Sequence, residues 1–255
     1  MTATYGDVDG GDDPGGAADW QERIAGWPAI RQYKSHALAA LPPGGTVLDI
    51  GCGPGTDLAA IGGHRAIGLD RSWTMVQRTA RQHRRVCVGD AHRLPFATGA
   101  FNGCRADRVL QHVDEPAAVL GEMRRVTRPG GRIVVAEPDQ ESLVIHVPGV
   151  ALDLVDKVKA ARRDAGYRNG RLVGELPGRM AALGLTDVSV TAFPLLLTDP
   201  ADAFGIAGWP RLWRERGMAR FSDSELDRWA HGMERARQEG FVYALLYFVV
   251  AATVA

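Results

Sequence analysis

Between Thr46 and Asp139 the chain repeats one pattern: a short aliphatic run, a turn carrying glycine or an acid, and then an amphipathic stretch. The apolar runs are TVLDI (46–50), RAIGLD (65–70), RVCVGD (85–90), part of FNGCRADRVL (101–110) and RIVVAEPD (132–139). Short runs without polar alternation fit strands buried on both faces, and strands separated by helical segments are joined in parallel through crossovers. The spacing predicts helices starting at Thr56–Ile61, over Ser72–Gln82 and over Pro116–Thr127, the last with Val119, Met123 and Val126 on one face. The expected architecture is an α/β open sheet with helices on both faces.

The flanks differ. Residues 1–19 are rich in Gly and Asp with almost nothing to bury, and are expected to form a disordered leader. Residues 20–44 hold helical spacing from Trp20 to Leu41, with a break before Pro28, and are read as an N-terminal helical lid. The main domain is expected over 45–255, with a small cap inserted at about 199–240. Within it Leu143–Tyr167 and Leu176–Leu183 read as helices, and Leu185–Asp199 and Phe241–Ala255 as strands. The last segment is apolar but shorter than the ~20 residues of a membrane span.

Composition narrows the partners. With 255 residues, 45% of them hydrophobic, and a formal net charge of zero, the chain can bury a core and shows no basic excess for nucleic acid. We therefore expect a small-molecule substrate, no nucleic acid and no membrane, and admit a homodimer. Three cysteines without a CxxC pair argue against disulfides and zinc and fit a reducing, cytoplasmic setting. The start lacks the apolar core of a signal peptide. The histidines show no paired ligand spacing, so no metal is expected. The abundance of Ala, Gly and Arg suggests a GC-rich bacterial genome.

In an open α/β sheet, ligands bind beyond the carboxyl ends of the strands. There the first strand gives VLDIGCGPG (47–55), where Gly51, Cys52, Gly53, Pro54 and Gly55 form the turn. Glycine permits positive φ and close approach of a ligand. Asp70, ending the second strand, suits a ribose hydroxyl pair, and Asp90, ending the third, could meet an adenine amino group. The dinucleotide fingerprint fails at Thr56, and Pro54 removes an N–H that a pyrophosphate would use. Asp49 opposes a phosphate but suits a cationic amino group. The pattern describes a nucleoside lying across three strand ends.

The ordered set VLDIGCGPG (47–55), GLDRSWTM (68–75), GDAHRLPF (89–96), FNGCRADRVLQHVDEP (101–116) and RVTRPGGRIVVAEPD (125–139) resembles the class I S-adenosylmethionine-dependent methyltransferases, in the small-molecule branch of ubiquinone and menaquinone biosynthesis. The resemblance covers roughly 46–139 and implies a Rossmann-like, doubly wound, seven-stranded sheet with an antiparallel last strand. It implies S-adenosyl-L-methionine as cofactor, with S-adenosyl-L-homocysteine as product. The cofactor would lie on Gly51, Cys52, Gly53 and Gly55, with Asp49 near the methionine amino group. Asp70, with Arg71 beside it, would serve the ribose, Met75 the base or ribose, and Asp90 and Ala91 the adenine. Asp107 matches a position near the methionine moiety. Tyr33, on a helix that closes over the cofactor in relatives, could reach the methionine carboxylate.

Methyl transfer needs chiefly a collinear nucleophile and methyl; a hydroxyl acceptor also needs a base. His112 in LQHV is the candidate base, or else a wall of the substrate pocket or a structural residue. Arg108 is a candidate for orienting the substrate, and Glu137 and Asp139 could bind an amine or hydroxyl. Trp209, with Trp213, could wall a planar substrate, and His146 reads as a core residue. Phenols, polyketides and indoles are all admissible acceptors. A non-methylating cofactor-binding protein on the same fold (a cyclase or regulator) and an RNA or protein methyltransferase stay open. The second is disfavoured by ADRV at 106–109, where base-methylating relatives carry an N/D-P-P-[YF] tetrad.

Overall fold

The structure is a computed structural model that describes residues 5–62, 65–83 and 85–255. Its centre is one seven-stranded sheet of β1 (Val47–Ile50), β2 (Ala66–Asp70), β3 (Val86–Val88), β4 (Phe101–Asp107), β5 (Thr127–His146), β6 (Leu185–Leu197) and β7 (Val242–Val254). The order is β3-β2-β1-β4-β5-β7-β6. Neighbours from β3 to β5 run parallel, and the last strand is antiparallel. All four residues of β1 are buried, as a strand covered on both faces requires. The order reverses between β1 and β4, whose carboxyl ends, Ile50 and Asp107, therefore flank the natural binding crevice of such a sheet.

Helices follow from local signals. In α2 (Pro28–Ala39) Trp27 is extended, as a residue before proline must be, and Pro28 opens the helix. Its buried face carries Ile30, Tyr33, Lys34 and Ala37, one stripe at i, i+3, i+4 and i+7. In α3 (Trp73–Ala80) the Ser72 side chain caps Met75 N–H. In α4 (Pro116–Val126) Val119, Leu120, Met123 and Val126 are buried.

Several expectations change. Residues 5–19 are not a free leader: α1 (Pro14–Ala25) starts inside them, capped by Asp13, and Val8 joins Ala17, Ala18 and Met75 in a buried cluster. Scarce apolar residues suffice when all of them point the same way. The N-terminal helical segment accordingly begins near 14 rather than 20. Thr56–Ile61 forms turns, not a helix: left-handed Gly55 and Gly62 bracket too few residues for a stable nucleus. β5 runs on to His146, with Leu143 and Ile145 buried and Val144 and His146 exposed. His146 is thus on the open face and not in the core, and the helix expected from Leu143 starts after Pro148 as α5 (Leu152–Ala165).

The chain divides into two compact units. The first comprises residues 1–137, 173–193 and 247–255; it includes α6 (Leu176–Ala182). The second comprises 138–172 and 194–246, so the expected cap of 199–240 is joined by α5 and the turns around it. It contains α7 (Trp209–Glu215) and α8 (Asp223–Glu239), the latter opened by a capping box between Ser222 and Glu225. Among the described residues no helix is long and apolar enough to cross a membrane.

Candidate active site

The glycine turn after β1 is built for backbone approach. Gly51, Gly53 and Gly55 have φ of 63°, 54° and 80°, a region that side chains resist. A Cβ would fall 2.4 Å from Val109 at Gly51 and 2.6 Å from Thr79 at Gly55, so these two are glycines for packing as well. At Gly53 a Cβ would find no atom within 4 Å. That face of the turn is open, and Gly53 is the position where a ligand can lie on the main chain. Cys52 is buried; burial first, then Asp49 and Asp70, raise its thiol well above the ordinary value, which disfavours the thiolate.

Asp70 fixes this turn from the neighbouring strand. Its Oδ2 accepts from Gly53 N–H at 2.8 Å and its Oδ1 from Ser72 N–H at 2.9 Å. Burial raises its pKa, and these backbone donors pull the other way. Each oxygen keeps lone-pair capacity for a hydroxyl donor. Asp90 lies exposed after β3, accepting from His92 N–H at 2.9 Å and facing His92 Nδ1 at 2.7 Å; the His92 backbone bond leads in lowering its pKa. Ala91 beside it is buried.

Beneath the turn lies a charge network of which only Asp49 and Asp107 were expected from the sequence. Arg105, 1% exposed, donates Nη1 to Asp49 at 2.9 Å and Nη2 to Asp57 and Asp107 at 2.7 Å each. Lys34 adds contacts of 2.7 Å to Asp57 and 3.6 Å to Asp107. Tyr33, fully buried and stacked on Tyr247, donates its hydroxyl to Asp107 at 3.0 Å. That hydroxyl is already engaged, so reaching a cofactor carboxylate means exchanging this bond. Burial raises Asp49 to about 6 against the pull of Arg105, while Asp57, though desolvated, is held well below its ordinary value by Arg105 and Lys34. Asp49 and Arg105 are register partners on β1 and β4, which is why the two side chains meet. The signal was present: an arginine inside a buried strand must find carboxylates.

Arg108 follows β4 with φ 57°, an uncommon conformation for a residue with a side chain. It donates Nη2 to Gln21 at 2.7 Å, and its Nε lies 3.4 Å from Asp107. Glu137, the last residue of the first unit, is fully buried rather than solvated. One oxygen accepts from Val109 N–H at 2.8 Å and Leu110 N–H at 2.5 Å, so it holds the segment leading to His112, while Oε2 has no hydrogen-bond partner. Burial, opposed by those amides, raises its pKa to about 8. His112 is half-buried, with its ring 5.9 Å from that of Tyr5.

The N-terminal segment reaches the same region. Asp9 takes Ser72 Oγ at 2.7 Å, Trp73 N–H at 2.6 Å and Thr74 N–H at 3.2 Å, satisfying free donors at the start of α3. Although slightly desolvated, it is held below its ordinary pKa by these bonds, Ser72 foremost. Arg71 donates to Gly6 O at 2.8 Å, and Met75 is buried against Val8. The ribose-side residues expected from the sequence are therefore brought together, with residues 5–9 lying on them. Asp139 and Trp209 belong to the second unit. Asp139 is half-buried there and accepts from Glu141 N–H at 3.1 Å; Trp209 is buried against Arg162 and Trp213. Among the described residues no group of three or more His, Cys, Asp or Glu is placed to hold a metal.

The family described as "Methyltransferase domain" matches residues 48–135, the stretch that holds the left-handed turn and the strand-end acids. This region is similar to class I S-adenosylmethionine-dependent methyltransferase domains. Over 172 residues the chain is 46% identical to an uncharacterized 37.1 kDa protein in transposon TN4556 of Streptomyces fradiae, covering 63% of this chain and 49% of that protein. Over 113 residues it is 43% identical to the demethylmenaquinone methyltransferase of Beutenbergia cavernae, covering 42% and 47%. The chain thus spans about half the length of these curated relatives. A SAM-dependent methyltransferase of Thermotoga maritima, 19% identical, superposes with a TM-score of 0.58 over the whole of both chains, a likeness of fold.

Proposed function

We propose that the chain transfers a methyl group from S-adenosylmethionine to a small-molecule acceptor. The observation that carries the reading is the left-handed turn whose Gly53 face is open, tied at its own N–H to Asp70 on the next strand. A nucleoside laid along the turn would present its ribose hydroxyls to Asp70 and its base toward Asp90 and Ala91. Its cationic amino end would meet the acid side of the Asp49–Asp107 network. The bound cofactor supplies an electrophilic methyl on a sulfonium.

The protein's own part is orientation and proton handling. Glu137 holds the amides of Val109 and Leu110 and so sets the segment that carries His112. His112 is the proposed base for a hydroxyl acceptor, and Arg108 a proposed contact for a polar group of that acceptor. The zero net charge and the quinone-acting relative favour a small molecule over RNA.

Calorimetric titration with S-adenosylmethionine and S-adenosylhomocysteine, followed by detection of S-adenosylhomocysteine with a panel of phenols, indoles and amines, tests the proposal. Asp70→Ala is expected to weaken binding by about 1–3 kcal/mol through loss of charge-assisted bonds. Unchanged affinity would remove the cofactor pose. Cofactor binding without any product from any acceptor class, RNA included, would favour a non-methylating role.

A further inference from the structure

Two arginines are buried among the described residues, and they differ in kind. Arg105 has three carboxylates. Arg162, on α5 and 3% exposed, has none: no ion pair includes it. Its guanidinium carbon lies 4.7 Å from the Trp209 ring centre, 4.9 Å from Tyr167 and 5.8 Å from Tyr243. Nη2 donates to the Tyr167 hydroxyl at 3.0 Å, whereas Nε and Nη1 are buried with no acceptor. All four residues belong to the second unit.

Aromatic faces attract a cation, but they stand above and below the guanidinium plane. The N–H bonds lie in that plane and need lone pairs there. A buried cation with in-plane donors left open is costly, and what completes it is an anion. The segment over it is bent in an unusual way. Phe204 has φ 53° without being glycine, Gly205 follows at 72°, and Trp209 Nε1 is tied to Phe204 O at 2.9 Å. Backbone held in such a region marks a segment that is constrained by its surroundings and can have a second arrangement.

We propose that Arg162 anchors the carboxylate of an organic acid bound within the second unit, with Trp209 and Tyr243 as its aromatic walls and residues 204–209 as the cover that yields to admit it. This site goes beyond the methyltransferase reading and does not depend on it. The shared chemistry is anion capture, and the source is either an organic acid or a simple inorganic anion.

The test uses the full chain and binding rather than turnover. Benzoate and hexanoate are titrated against benzamide and hexanamide, with sodium phosphate at matched ionic strength, and read by tryptophan emission and melting temperature. The acids should bind and raise the melting temperature while the amides do neither. Arg162→Gln should weaken acid binding by about thirtyfold or more, the loss expected when one partner of a buried charge pair is truncated. Its affinity for S-adenosylhomocysteine should stay unchanged, and this separate titration judges the methyltransferase reading by itself. The proposal is overturned if amides match acids, if no acid binds, if phosphate protects as well as the acids (an inorganic counter-ion only), or if Arg162→Gln binds acids like the parent. Should that variant fail to fold, the contrast between acid and amide in the parent chain decides.

Discussion

Replacing Arg105 by leucine tests the electrostatic foundation of the site. The guanidinium, 1% exposed, is shared by Asp49 at 2.9 Å and by Asp57 and Asp107 at 2.7 Å. Without it Asp57 and Asp107 keep Lys34, and Asp107 also faces Arg108, but Asp49 loses the cation that contacts it. Two unit charges at this distance attract by about 6 kcal/mol at an effective dielectric of 20, desolvation offsets part of that, and breaking a buried pair costs about 3–5 kcal/mol. The loss expected for Arg105→Leu at pH 7.5 is therefore about 3–5 kcal/mol, a large share of the roughly 5–15 kcal/mol that holds a domain together. Its pH dependence has a definite sign. Asp49 stands near 6 even with the arginine, above its ordinary 3.8. Removing the cation raises it further, so the folded variant binds a proton that the unfolded chain releases. The penalty should then shrink as pH falls from 7.5 to 5.5. Urea unfolding of parent and variant at the two pH values measures both quantities. A loss below 1 kcal/mol, or one that grows on acidification, would refute the reasoning. Arg105→Leu with Asp49→Leu should recover part of the loss, because an apolar pair can replace a buried ionic one.

Other perturbations separate the roles of neighbouring groups. Gly53→Val should abolish S-adenosylmethionine binding, since the branched side chain would occupy the open face at positive φ; persistent binding with native circular dichroism would show that the cradle lies elsewhere. Glu137→Gln removes a group that is protonated in the fold up to about pH 8, against 4.5 ordinarily. The parent's stability from this group is full below about pH 4.5 and is lost as pH rises toward 8, so the variant should flatten that decline; an identical pH profile would count against it. Asp9→Ala should cost about 0.5–2 kcal/mol, the range of a lost helix cap, and expose the Trp73 and Thr74 amides to hydrogen exchange; unchanged protection would mean that the N-terminal segment is not docked on α3. With a hydroxyl acceptor, His112→Ala should lower kcat by about 10²–10⁴, less at high pH; full kcat across pH 6–9 would remove it as base.

The parallel half of the fold was legible because buried strands leave an unmistakable trace. TVLDI and RIVVAEPD have no polar alternation, and TVLDI is followed by a turn that its glycines make possible. The misreadings lie where the trace is shared by two structures. Leu143–His146 has the apolar content of a helix start, and only the alternation of Leu143 and Ile145 inward with Val144 and His146 outward settles it as strand. Residues 5–19 look too polar to order, yet Asp9 and Asp13 are ordered by what they cap, and a polar side chain that satisfies a helix terminus adds nothing to hydrophobicity counts.

Within the site, what the sequence could show was whatever sits at the end of a strand. Gly51–Gly55, Asp70 and Asp90 follow from chain order alone. Lys34, Asp57 and Arg105 do not, because their meeting depends on register: Arg105 reaches Asp49 only because β1 and β4 pair Val47 with Gly103, and a shift by one residue would send the guanidinium to the opposite face. A buried arginine in a strand thus predicts that acids exist nearby but cannot say which. The rule also works in reverse. Arg162 lies in α5 with every element around it described, and no carboxylate reaches it. The physics that makes Arg105 a fastener, a desolvated cation satisfied by acids of its own chain, makes Arg162 a receptor, a desolvated cation whose acid has to come from outside.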